Sequence, residues 1–85
     1  MLIKSSSVSR GDLVKLSKFW IESFGFTPIL SSRNGSIKSI LFDMLPSDIG
    51  LVILLESKDE YVKLLIGKRT GWIRKKKIEI ISSIV

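Results

Sequence analysis

Neither cysteine nor histidine occurs in the chain. The first absence excludes disulfide staples and thiol redox chemistry. The two together exclude Cys/His zinc sites. Without histidine there is no imidazole general base and no Ser-His-Asp triad. The carboxylates do not fill the gap. Asp43, Asp48, Asp59 and Glu60 are scattered, and no spacing pairs them as acid and base or as metal ligands. The expectation is a protein without catalytic residues, cofactor or metal site. Long apolar runs are also missing. Nothing reaches transmembrane length, and the opening MLIKSSSV lacks an apolar stretch long enough for a signal peptide. The expected location is the cytoplasm, away from membranes.

What is present is apolar and basic. The chain has 85 residues, 45% of them hydrophobic. It reads as a single domain over 1–85, near the lower size limit for an independent core. So much apolar surface on so small a body predicts a partner: a homodimer, a heterodimer with a paralogue, or a stable complex. Richness in Ile, Lys and Ser without cysteine suits a thermophilic archaeon. The net charge of +6 is local. Lys63, Lys68, Arg69, Arg74, Lys75, Lys76 and Lys77 share one acid-free stretch, while the rest of the chain holds seven basic and eight acidic residues. Such an excess points to a phosphate-facing patch.

Pattern and punctuation predict the elements. LIKSSSV (2–8) reads as a first strand. Ser9 and Asp12 fit a capping box. A helix is predicted over about 10–24, with Leu13, Leu16, Trp20 and Phe24 on one apolar face and Gly25 as its left-handed C′ residue. Phe19, Trp20 and Phe24 are expected in the core. FTPILSS reads as a strand, and Pro28 places it at an edge or delays its start. Arg33-Asn34-Gly35 is a hairpin turn into the returning strand SIKSILFDM. LVILLE (51–56) reads as a central strand. Ser57 and Glu60 form a second capping box, and Tyr61, Leu65, Trp72 and Ile73 continue at helical spacing. That pattern favours one long helix through Gly67 and Gly71 over a break and a last strand KIEIISSIV, since each glycine costs only about 1 kcal/mol. The sum is β-α-β-β-(β)-α, an α+β fold with an antiparallel sheet of three to four strands and two helices on one face.

Three resemblances bear on the basic stretch. LVILLESKDEYVKLLIGKRTGWI resembles part of an RNA-binding KH domain: an apolar strand, a short helical piece, then Ile66-Gly67-Lys68-Arg69 opening an Ile-Gly-x-x-Gly loop. Thr70 stands where the second glycine belongs, and Gly71 falls one residue late. The whole chain resembles the small dimerising subunit family of the KEOPS complex, which makes threonylcarbamoyl-adenosine in tRNA. The matching features are LVILLE running into Ser57-Lys58-Asp59, then Lys63, Leu64, Leu65 and Ile66, and later Trp72-Ile73-Arg74. That resemblance implies a KH-like fold, pairing with a copy or paralogue, docking on a catalytic subunit, and a hold on tRNA. GDLVKLSKFWIESFGFTPI resembles the opening of a glyoxalase-type module, whose metal ligands include histidine. Here it implies an echo of fold without activity.

The resulting expectation is a non-catalytic assembly subunit of a tRNA-modification complex. Phosphates would meet Lys63, Lys68, Arg69, Arg74, Lys75, Lys76 and Lys77. Tyr61, Leu65, Trp72 and Ile73 would form a protein interface, with base stacking the alternative role for Trp72. On a helix Arg74–Lys77 sweep around the axis, so Lys68, Arg69, Lys75 and Lys76 are better placed to share a side. Seven phosphate contacts imply a log–log salt slope on the order of −5 to −6. The alternatives are a free-standing KH-like RNA-binding protein and a protein-only interaction module.

Overall fold

The computed structural model describes residues 8–32, 39–56 and 58–82. Along them run β1 (Leu13–Leu16), α1 (Lys18–Ser23), β2 (Thr27–Leu30), β3 (Ile40–Met44), β4 (Gly50–Leu55), β5 (Tyr61–Ile66), β6 (Arg69–Arg74), a 3₁₀ turn (Lys75–Lys77) and β7 (Ile78–Ser82). All pairings are antiparallel, in one sheet of order β3-β2-β6-β5-β4-β1-β7 that curls into half a barrel. This overturns the expected α+β, KH-like fold of three to four strands and two helices. Residues 2–7 of the strand predicted over 2–8, the turn Arg33-Asn34-Gly35 and the cap Ser57 lie outside the described residues.

The second predicted helix fails on its period. Leu64-Leu65-Ile66 is apolar at every position, so it satisfies helix and strand templates alike. The core takes Val62, Leu64 and Ile66 from β5, and Gly71 and Ile73 are the buried residues of β6, every second residue along each strand. Tyr61 is buried on the opposite side, under Arg74. Gly67 reverses the chain at φ +64°. It sits in the two-residue link between the paired Ile66 and Arg69, where a hairpin favours glycine first. KIEIISSIV supplies β7 through Ser82.

The first predicted helix fails at its start. Asp12 does meet Ser9, its carboxylate accepting the Ser9 N–H at 2.8 Å. The chain then leaves as β1, and helix begins only after Ser17, whose Oγ accepts the Trp20 N–H at 3.1 Å. Gly25 follows the last turn at φ +83°, the C′ role expected of it. Phe19 (71% exposed) and Phe24 lie on the surface instead of in the core, and Trp20 packs partly against it.

The inner face buries Val14, Leu16, Ile29, Met44, Val52, Val62, Leu64, Ile66, Ile73 and Ile78. Three pairings carry bulges: β1–β7, β2–β3 and β4–β5. Bulges bend and twist strands, which curls the sheet around this core. The β4 bulge turns Leu54 outward and Leu55 towards the core. β2 crosses β6 closely at Gly71. A Cβ there would stand 2.2 Å from Ile29 Cγ2 and 3.0 Å from the Leu30 carbonyl oxygen. Among the described residues the two strands pair only at Leu30↔Trp72. Pro28 therefore costs no ladder bond to β6, and β2 tolerates it without being an edge strand.

Candidate functional site

Beyond Leu30↔Trp72 the strands β2 and β6 part, and a cleft of about 450 Å³ opens between them. Its lining is Trp20 from α1, Pro28 and Leu30 from β2, Ile40 from β3, Tyr61, Ile73 and Arg74 from the β5–β6 hairpin, and Lys76 and Lys77 from the 3₁₀ turn. No acid is among these residues.

Aromatic rings and hydroxyls hold two of the cations. Arg74 Nε donates to the Tyr61 hydroxyl at 3.1 Å, and its guanidinium lies 5.4 Å from the Tyr61 ring centre. Arg74 Nη1 also pairs with the exposed Glu60 carboxylate at 3.3 Å, a contact worth little in water. The Tyr61 hydrogen bond, first, holds the Arg74 pKa above its ordinary value. Lys77 Nζ sits 4.6 Å from the Trp20 ring centre and donates to Thr27 Oγ1 at 3.2 Å. Trp20 is itself fixed by its Nε1–H bond to the Phe26 carbonyl at 3.0 Å and by Phe24, ring centre 4.4 Å away. Burial pushes the Lys77 pKa down, and the nearby Arg74 and Lys76 charges push it the same way. Like charges have been gathered where an anion would relieve their repulsion. Lys76 is exposed at the rim.

The seven cations do not form one patch. Arg74, Lys76 and Lys77 share the cleft. Lys75 turns aside, its Nζ donating to the Glu56 carbonyl at 2.9 Å. Lys63 lies on the outer face of the hairpin, 5.9 Å from the Trp72 ring centre. Lys68 and Arg69 sit at the hairpin tip, with the Arg69 guanidinium 3.9 Å from the Phe42 ring centre. A six-residue strand separates tip from cleft by roughly 17 Å at about 3.3 Å per residue, so Lys68 and Arg69 do not share a side with Lys75 and Lys76. The expected interface divides too. Tyr61, Leu65 and Trp72 share the outer side of the hairpin, while Ile73 pairs with Val62 and is buried in the core.

Trp20, Pro28, Leu30 and Ile40 are site residues the sequence did not mark, and Tyr61, expected at a protein interface, lines the cleft instead. Counting outward from a turn at Gly67-Lys68 pairs Tyr61 with Arg74, so a hairpin reading would have found that partnership. No local signal links Trp20 to Lys77, which only the tertiary fold brings together. Among the described residues no group of His, Cys, Asp or Glu is placed to hold a metal ion. No helix among them is long and apolar enough to cross a membrane.

Comparison with protein-family models, curated proteins and solved structures finds no match. Nothing identifies the KEOPS family, and the strand–helix–strands–long helix order behind that resemblance is not found among the described residues.

Proposed function

We propose that the chain is a non-catalytic module that binds RNA through its phosphates, using the cleft between β2 and β6. One observation carries the reading: Arg74, Lys76 and Lys77 line a single cleft with no acid among its lining residues, two of them seated on aromatic rings. The exposed Glu60 pairs with Arg74 from outside the cleft. Seating a cation on a ring reduces the freedom it loses when a phosphate arrives. Phosphate contacts supply affinity and register without sequence information.

The test is a fluorescence-anisotropy titration of a labelled single-stranded RNA against salt. Three cleft contacts at about 0.7 each predict a slope near −2, well below that of seven. Lys76→Gln and Arg74→Gln should each lower the slope by about 0.7. Lys68→Gln with Arg69→Gln, at the hairpin tip, should leave it unchanged. A tip variant as damaging as the cleft variants, or no binding at low salt, would sink the proposal.

A second reading, a protein-docking module, draws on the outer face. Leu13, Leu51 and Leu65 align across β1, β4 and β5, with Leu54 exposed nearby. Association through that row would survive salt that abolishes RNA binding.

A further inference from the structure

The two walls of the cleft differ in chemistry. Arg74, Lys76 and Lys77 form a cationic side, and Pro28, Leu30 and Ile40 form an aliphatic side. A ligand matching both carries a negative charge next to a flat, weakly polar body. The volume of about 450 Å³ suits one small-molecule-sized group. The rings in the cleft are not stacking platforms. Trp20 is flanked by Phe24 and Lys77, and Tyr61, 7% exposed, lies under Arg74. A base must therefore be met by the aliphatic wall.

Resting on the RNA-binding reading, we infer that the cleft admits one unstacked nucleotide of a single strand. Its phosphate meets Arg74 and Lys76, and its base lies against Pro28, Leu30 and Ile40. A paired, stacked base cannot enter without leaving its helix. Duplex must supply that unstacking free energy, so it binds at least about tenfold more weakly than a single strand.

The experiment uses the full chain carrying Trp72→Phe, which leaves Trp20 as its one indole. It is titrated at low salt with a single-stranded oligouridylate and with an RNA duplex of equal length, following Trp20 emission and, separately, anisotropy of labelled RNA. The expected result is a change in Trp20 emission with the single strand and at least about tenfold weaker duplex binding. Ile40→Thr changes a side chain already 43% exposed, and it should narrow that gap at least about threefold with little effect on duplex. Equal affinity and equal salt slope for both RNAs would overturn the inference and leave the phosphate reading standing. Anisotropy reporting tight binding without any change at Trp20 would place the strand elsewhere and overturn it too. No binding of either RNA would overturn both readings. If Ile40→Thr fails to fold by circular dichroism, the ratio of single strand to duplex in the Trp72→Phe chain decides alone.

Discussion

At Gly71 the missing side chain is what lets β2 lie on β6. A methyl group there meets Ile29 Cγ2 at 2.2 Å and the Leu30 carbonyl oxygen at 3.0 Å. Backbone cannot swing away as a side-chain tip can. Gly71→Ala should therefore cost about 2 kcal/mol or more in urea denaturation, in the range of overpacked cores. A loss below about 0.5 kcal/mol would mean that β2 does not press on β6 as described. Gly50 is the milder case, since its nearest obstacle is the Leu64 Cδ1 tip at 2.9 Å. Lys77 gives a prediction in pH. Burial, with Arg74 and Lys76 adding to it, lowers its pKa in the folded chain. As pH climbs towards the ordinary lysine value of about 10.4, the folded state loses this proton before the unfolded state does. The unfolded chain then binds more protons, so stability rises with pH through that window. Comparing wild type with Lys77→Met isolates the effect: wild type should gain on the variant as pH rises, and parallel profiles would refute it.

The β5–β6 hairpin turns on Gly67, where φ is +64° and a Cβ would meet nothing within 4 Å. Any penalty for Gly67→Ala is thus backbone alone. About 1–2 kcal/mol is expected from the left-handed strain, measured against Gly71→Ala, whose penalty is steric. This element also shows what was legible. β2 and β3 fall within stretches read as strands, β4 overlaps a third but starts one residue earlier at Gly50, and Gly25 ends its helix as its position implied. The cations stood out as one block because charge needs no fold to be counted. The helices went wrong where apolar residues run consecutively, as at Leu64-Leu65-Ile66, because such a run fits periods of 2 and of 3.6 equally. The deciding cue is tight-turn chemistry at Gly67-Lys68, which the helical reading places in a helix interior. The cleft was out of reach for a different reason. Its walls come from β2, α1 and the far end of β6, and only long-range pairing brings Trp20 beside Lys77.

Across the whole molecule the sheet is unevenly joined. The β5–β6 ladder pairs every residue of both strands, from Tyr61↔Arg74 to Ile66↔Arg69. Among the described residues the β2–β3 hairpin shares one ladder pair with that body, Leu30↔Trp72, beside the core packing of Ile29 and Met44. The cleft lies along this seam, so the same sparse pairing that makes room for a ligand leaves one wall lightly tethered. Structures open locally in cooperative units, and the cost of each opening follows the contacts that it breaks. Amide hydrogen exchange should accordingly divide the chain in two. The β4–β5–β6 amides should exchange only by global unfolding, while those of β2 and β3 exchange faster, as one group, through a cheaper opening. A ligand that bridges Ile40 and Arg74 would fasten the two parts together, and protection in β2 and β3 would rise towards that of β4, β5 and β6. The cleft would then act as a clasp, and occupancy could be read from amides that never touch the ligand.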